Sequence, residues 1–237
     1  MATYVLVHGG HHGGWCYQKV ARLLRAAGHD VYAPTLTGVG ERRHLLSPEV
    51  DLEMHVTDVV NLLTYEDLHG VILAGHSYGG MVITGAADRA RERIKELVYL
   101  DAAHPRNGES LADVAVQIMD VCRDWVREVD GVELVTWPQT LEPAFFGVTD
   151  PVDSAWMRAR LHLHPWRCYT QKLVLQDEAA VRRLPRTDID CSANVRGFDA
   201  RRLAERELAT RAWEIDTGHD LMVTEPEKLA EMLLRLA

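Results

Sequence analysis

The stretch that decides the fold spans residues 71–81 and reads VILAGHSYGGM. Its first four residues form an aliphatic run, which predicts a short strand, and a helical pattern follows over residues 81–90. Between them lies a G-x-S-x-G pentapeptide centred on Ser77. The turn in such a pentapeptide is so tight that it requires small flanking residues, here Gly75 and Gly79, and it lifts the serine hydroxyl above the sheet edge. The stretch therefore predicts a nucleophilic serine, with a structural glycine turn as the alternative.

Strands and helices alternate on both sides of this stretch. The strands are continuous apolar runs, and the helices carry apolar residues on one face. This combination predicts an α/β fold with a mostly parallel, doubly wound sheet covered by helices on both faces. Ligands of such sheets bind at the carboxyl ends of the strands. Besides residues 71–74, strands are predicted at residues 3–7, 31–33, 97–100, 187–191 and 212–215.

The alternation stops after Asp101 and resumes near residue 185. Residues 102–184 look helical and aromatic, with one candidate strand at residues 132–135. We therefore expect a single domain whose core comprises residues 1–101 and 185–237, with residues 102–184 as an insertion that includes a helical lid. The large aromatic residues of the insertion either line an apolar pocket or form an ordinary helical core. The last helix is predicted to begin at Thr224, which forms a capping box with Glu227.

Composition excludes several classes of function. The net charge of −9 argues against nucleic-acid binding, because proteins that bind nucleic acids usually carry a positively charged surface. No apolar run reaches the roughly 18 residues of a membrane helix, and the first residues lack the basic region of a signal peptide, so we expect a cytoplasmic protein. The four cysteines are far apart and are expected to be reduced. The oligomeric state is left open, with a homodimer among the options.

A glycine-rich loop, HGGHHGGW at residues 8–15, follows the first strand. Glycines let the backbone approach a ligand and direct N–H groups into a site, so this loop is suited to supply an oxyanion donor. A phosphate-binding loop is disfavoured, because neither GxxxxGK[ST] nor GxGxxG is present. The neighbouring pairs His11-His12 and His162-x-His164 do not have the arrangement of a metal site, and no metal or other cofactor is expected.

A histidine near the end of the chain is a candidate general base for Ser77. Thr217-Gly218-His219-Asp220 follows the last predicted strand. A serine hydroxyl is a weak nucleophile and needs a neighbouring base, and His219 is placed at a strand end where it can serve. The backbone N–H of Tyr78, the residue after the serine, lies at a helix N-terminus and is suited to receive negative charge.

Three segments together resemble the α/β-hydrolase superfamily: VLVHGGHHGGW at residues 5–15, GHSYGGM at residues 75–81 and DTGHDLM at residues 216–222. Within it the chain is most similar to the small methylesterase and hydroxynitrile-lyase group of plants and bacteria, which includes salicylate-type esterases. The resemblance covers essentially the whole chain. It implies a catalytic Ser77–His219 pair, an oxyanion hole formed by the N–H groups of Gly10 and Tyr78, and a lid within residues 102–184.

Two positions separate the activities of this group. Hydroxynitrile lyases carry a threonine after the histidine of the first loop and a lysine after the catalytic histidine. This chain has Gly9 and Asp220 there. The resemblance therefore favours an ester hydrolase.

The third member of the catalytic triad departs from the family pattern. The position aligned with the family's carboxylate is Asn194. An amide can orient an imidazole but cannot stabilise the imidazolium by charge. Three interpretations stay open: Asp101 substitutes as the acid, Asn194 serves in a slow or specialised esterase, or the pocket performs non-hydrolytic chemistry. Misalignment, with Asp190 or Asp199 as the acid, is the remaining option.

The sequence thus predicts a cofactor-independent serine carboxylesterase that acts on a small apolar ester or lactone. The first alternative is a lyase, decarboxylase or cyclase of a biosynthetic pathway that uses the same pocket. The second is a non-catalytic small-molecule receptor, against which the presence of both Ser77 and His219 argues.

Overall fold

The computed structural model describes residues 1–237 and is built around a six-stranded sheet. All five pairings between its neighbouring strands are parallel, and the strand order is β2-β1-β3-β4-β8-β9. The strands are β1 (Thr3–Val7), β2 (Asp30–Tyr32), β3 (Val71–His76), β4 (Ile94–Leu100), β8 (Arg186–Cys191) and β9 (Arg211–Ile215). The predicted α/β fold with a mostly parallel sheet is confirmed.

Twelve α-helices surround the sheet, and both of its faces are buried. Successive residues of β1 alternate between two apolar clusters, with Val5 in one and Leu6 in the other, as expected for a strand covered on both sides. The helices are α1 (Gln18–Ala26), α2 (Leu52–Tyr65), α3 (Gly79–Ala90), α4 (Leu111–Val114), α5 (Val116–Asp124), α6 (Pro151–Arg158), α7 (Arg167–Thr170), α8 (Glu178–Val181), α9 (Ser192–Val195), α10 (Ala200–Glu207), α11 (Leu221–Thr224) and α12 (Pro226–Leu234).

Residues 102–184 add no strand to the central sheet. They contain α4 to α8 and a small antiparallel sheet of β5 (Val126–Val129), β6 (Val132–Val135) and β7 (His164–Pro165). The candidate strand at residues 132–135 is β6, whereas β5 and β7 were not expected. The turn between β5 and β6 is Asp130-Gly131, and both residues have positive φ, a combination typical of two-residue hairpin turns.

The insertion shares its apolar core with the sheet. Met119 of α5 and Tyr169 of α7 belong to the same buried cluster as Val7 of β1 and Met81 of α3. The insertion therefore packs against the sheet face that α3 covers, and its Met157 belongs to the cluster on the opposite face. No helix is long and apolar enough to cross a membrane, and all four cysteines are free and buried.

Candidate active site

Ser77 occupies the turn between β3 and α3. Its φ is +53°, a left-handed conformation that non-glycine residues rarely adopt. The turn depends on small neighbours, because a Cβ on Gly75 would lie 2.6 Å from the carbonyl oxygen of Gly79. Ser77 itself is partly exposed, although the residues around it are buried. The structure thus places the serine as the pentapeptide predicts, in a strained turn with an accessible side chain.

His219 lies on the loop between β9 and α11, and its partner is Asp101. Nδ1–H of His219 donates to Oδ2 of Asp101 over 2.5 Å. This bond holds the ring proton on Nδ1 and leaves Nε2 as the basic nitrogen of the neutral ring. Burial disfavours the imidazolium, but the hydrogen bond and the charge of Asp101 outweigh it and raise the pKa of His219 above its usual value. The imidazole is therefore both oriented and made more basic.

Asp101 follows β4 directly and has a φ of +45°. Oδ1 accepts the backbone N–H of Cys191 over 3.2 Å, and Oδ2 accepts the Asn194 side-chain amide over 2.5 Å in addition to the imidazole. Burial raises the pKa of this carboxyl, but these contacts with His219, Cys191 and Asn194 outweigh burial and lower it. A buried carboxylate with three donors stays ionised at neutral pH.

The remaining candidates for the triad acid are engaged elsewhere. Asn194 contacts Asp101 through its amide and makes no hydrogen bond to the imidazole. Asp190 accepts from Arg202 over 2.5 Å and from Arg206 over 3.0 Å, and burial raises its pKa to about 6. Asp199 caps α10 by accepting the backbone N–H of Arg202. Of the four residues considered, Asp101 is therefore the one that meets His219.

The two amides predicted to form an oxyanion hole are free. Neither the N–H of Gly10 nor that of Tyr78 donates to another protein group. The loop that carries Gly10 lies against the serine, since a Cβ on Gly9 would be 2.9 Å from the Ser77 Cβ. Nδ1–H of His8 donates to the Gly9 carbonyl over 2.8 Å and so fixes the peptide plane that contains the Gly10 N–H.

A family model described as "Alpha/beta hydrolase family" matches residues 4–232. The chain belongs to the alpha/beta hydrolase family. It is 39% identical over 249 aligned positions to the "Carbendazim hydrolyzing esterase" of Nocardioides sp. (strain SG-4G), and the alignment covers all of both chains. It is 36% identical to Methylesterase 1 of Arabidopsis thaliana over 104 residues, which is 43% of this chain and 40% of that protein.

The solved structures agree with this assignment. An extracellular α/β-hydrolase from a Paenibacillus species, described as homologous in structure and function to tobacco salicylic acid binding protein 2, superposes with a TM-score of 0.84 at 26% identity, over 99% of this chain and 98% of that one. With its esterase relatives, this places the protein in the methylesterase-like group of the family. It is a carboxylic ester hydrolase.

Further histidines of this hydrolase form hydrogen bonds between the loops that carry Ser77, His219 and the first glycines. Nε2–H of His76, the residue before Ser77, donates to the carbonyl oxygen of His219 over 3.0 Å. Nδ1–H of His12 donates to the Gly10 carbonyl over 2.6 Å, and its Nε2 lies 2.8 Å from Oδ2 of Asp220. These contacts connect the glycine-rich loop to the residue that follows His219. The sequence offered no signal for these positioning roles.

The hydrolase has one cluster of potential metal ligands, His55, His164 and Cys168. Nδ1 of His164 accepts the His11 N–H over 3.3 Å, so the ring proton is on Nε2 and neither nitrogen has a free lone pair. Burial raises the pKa of the Cys168 thiol, which keeps it protonated. Metal ions require deprotonated ligands. The cluster as arranged therefore does not fit a metal ion.

The aromatic residues of the insertion differ in their surroundings. Phe146 lies nearly parallel to the His219 ring, with the ring centroids 6.3 Å apart. Trp166 is buried in the apolar core, whereas Phe145 is 40% exposed. Next to Phe146, a Cβ on Gly147 would lie 2.6 Å from the Gly218 α-carbon. The insertion thus touches the His219 loop backbone to backbone.

Proposed function

We propose that this esterase hydrolyses small, largely apolar carboxylic esters through an acyl-enzyme, with Ser77, His219 and Asp101 as the triad. The observation that carries the proposal is the 2.5 Å contact between His219 and Asp101, which supplies the carboxylate that the sequence pattern lacked. The free N–H groups of Gly10 and Tyr78 support it.

In the first half-reaction, Nε2 of His219 takes the proton of the Ser77 hydroxyl as its oxygen bonds to the ester carbonyl carbon. The negative charge on the resulting tetrahedral oxygen is held by the N–H groups of Gly10 and Tyr78. When this intermediate collapses, the bond to the alkoxy group breaks. The imidazolium of His219 gives its proton to the leaving oxygen, and an alcohol departs.

In the second half-reaction, His219 removes a proton from water while the water oxygen attacks the acyl carbon. Collapse of the second tetrahedral intermediate returns the proton to Ser77 and releases the carboxylic acid. The ionised Asp101 stays unprotonated throughout and stabilises the imidazolium in both halves.

A small substrate is favoured by the surroundings of the serine. Phe146 flanks the imidazole, and Tyr169 lies against Gly10. Methyl esters and aryl acetates are therefore the first substrates to test. Carbendazim belongs in the same panel, because the full-length relative is named for hydrolysing it.

The non-hydrolytic alternative, a lyase, decarboxylase or cyclase, was motivated by the missing carboxylate. Asp101 provides a carboxylate at the imidazole, so no observation now favours that alternative over ester hydrolysis. A receptor without catalysis would have no use for a buried carboxylate that raises the pKa of the His219 imidazole.

The decisive experiment is labelling with a fluorophosphonate at neutral pH, followed by location of the adduct by mass spectrometry. We expect a single adduct on Ser77 and none on the Ser77→Ala variant. The proposal fails if folded protein remains unlabelled, or if the adduct is found on another residue while ester hydrolysis persists in Ser77→Ala.

A further inference from the structure

Tyr169 belongs to α7 of the insertion, and its ring is held rigidly. The side chain is 3% exposed. Its ring lies parallel to that of His164, with centroids 4.7 Å apart and planes inclined by 16°. The ring of Tyr78 packs edge-on against it at 5.5 Å. These contacts fix the direction of the Tyr169 hydroxyl.

That hydroxyl reaches the loop which carries a predicted oxyanion donor. A Cβ built on Gly10 would lie 1.8 Å from the Tyr169 hydroxyl oxygen, so the hydroxyl lies against the Gly10 α-carbon. Any side chain at position 10 would collide with it. The glycine here therefore allows two features at once: a free backbone N–H and the close approach of a phenol.

The Tyr169 hydroxyl is unsatisfied. It makes no hydrogen bond within the protein, whereas the hydroxyls of Tyr4, Tyr17 and Tyr99 each have a protein partner. The hydroxyl oxygen is not fully enclosed by the protein either, so it retains accessible surface beside Gly10. A polar group in a buried residue that is neither bonded nor enclosed is available to a ligand.

The hydroxyl is also in the correct ionisation state to donate. Burial raises the pKa of Tyr169 well above its usual value, so the phenol is neutral at physiological pH. A neutral phenol next to a free amide donates toward a developing negative charge without bringing a charge of its own.

We propose that the Tyr169 hydroxyl is a third donor to the oxyanion, and that it acts beside the N–H groups of Gly10 and Tyr78. This inference rests on the proposed acyl-enzyme mechanism. The hydroxyl donates a hydrogen bond to the carbonyl oxygen as the Ser77 oxygen adds to the carbonyl carbon. No proton is transferred, and the bond weakens again when the intermediate collapses.

The test is the Tyr169→Phe variant, which keeps the ring and its stacking on His164. We expect kcat for p-nitrophenyl acetate to fall by about 10- to 100-fold with KM nearly unchanged, because an oxyanion donor acts mainly in the transition state. Tyr4→Phe is the matched control. It also removes a buried hydroxyl, which donates to Leu233, and kcat should stay within about twofold of the wild-type value.

A second measurement keeps the inference testable if Tyr169→Phe is less stable. An aryl trifluoromethyl ketone forms a tetrahedral oxyanion with the serine, whereas the matching methyl ketone binds without addition. At a temperature where the variant is folded, the trifluoromethyl ketone should bind at least about tenfold more weakly than to the wild type, and the methyl ketone equally well. Equal loss for both ketones, an unchanged kcat, or a change in KM alone would overturn the inference.

The two proposals fail separately. If the wild type is not labelled by fluorophosphonate at Ser77, the acyl-enzyme mechanism is wrong. If Ser77 is labelled and Tyr169→Phe retains full kcat and ketone discrimination, only the role of Tyr169 is wrong.

Discussion

Asp101 and His219 meet at 2.5 Å although 118 positions separate them in the chain. Asp101 directly follows β4, whereas Asn194 lies just after β8, the neighbouring strand. Because adjacent parallel strands end at the same edge of the sheet, a carboxylate from either can reach the same imidazole. The structure brings Asp101, and not Asn194, to the imidazole, and the Asn194 amide donates to Asp101.

Replacing Asp101 by asparagine should reduce kcat by about 10³- to 10⁴-fold. The amide retains the shape of the side chain but removes the charge that stabilises the imidazolium, and its NH₂ group can hold the wrong tautomer of His219. KM should change little, because Asp101 does not contact substrate. Steady-state kinetics on p-nitrophenyl acetate measure both constants, and a loss below tenfold would show that another group acts as the acid.

Replacing Asn194 by aspartate should lower turnover instead of raising it. Asn194 donates to Oδ2 of Asp101 over 2.5 Å, and a carboxylate there would replace a donor by a like charge. Asn194→Ala should cost about tenfold in kcat through loss of a hydrogen bond to a charged group. A higher kcat in Asn194→Asp would instead mean that the triad acid is missing from the natural chain.

The pH profile of kcat/KM should report the pKa of His219. Only the neutral imidazole accepts the serine proton, and Asp101 raises this pKa above its usual value. Activity should therefore increase with pH along a limb whose midpoint lies above about 6.5. In Asp101→Asn the raising effect is lost while burial remains, so the limb should move to lower pH. A limb at the same pH in both proteins would contradict this assignment.

The buried histidines should make the fold sensitive to mild acid. Burial lowers the pKa of His8 and of His11 to about 3, so in the folded state they stay neutral as the pH falls. The unfolded chain binds protons on both below about pH 6.5. Their joint contribution to the free energy of unfolding then decreases by about 3 kcal/mol per pH unit, and His55, His76 and His164 shift in the same direction.

Urea unfolding at pH 7.5 and pH 5.5 measures this effect. We expect a clear decrease in the free energy of unfolding at the lower pH. His44→Gln is the control, since His44 is exposed and its removal should leave the difference unchanged. Equal free energies at the two pH values would show that these histidines are not neutral in the folded state.

The sequence predicted those features that depend on local pattern. The serine turn, the parallel sheet and the loop position of His219 all follow from short segments whose residues are close in the chain. The hairpin of β5 and β6 had a local signal in Asp130-Gly131, which the helical interpretation of the insertion overlooked. The prediction that the last helix begins with a capping box at Thr224 was wrong, because Thr224 ends α11 and α12 begins at Pro226.

Features that depend on distant contacts were beyond the sequence. It left Asp101 and Asn194 as alternatives, because only the adjacency of β4 and β8 shows that one binds the other. The same is true of His12 and Asp220, which pair across 208 positions. Neither the spacing nor the residue types in those segments indicate such contacts.

The contact between Gly147 and Gly218 has a mechanical consequence. Two backbones meet there with no side chain between them, so no rotamer change can absorb a displacement. The backbone N–H of Asp220 also donates to the Phe146 carbonyl over 3.0 Å. If residues 146–147 swung outward to admit substrate, they would pull the imidazole away from Asp101. The positions of residues 146–147 and of the His219 loop are therefore coupled, so that a shift in one requires a shift in the other.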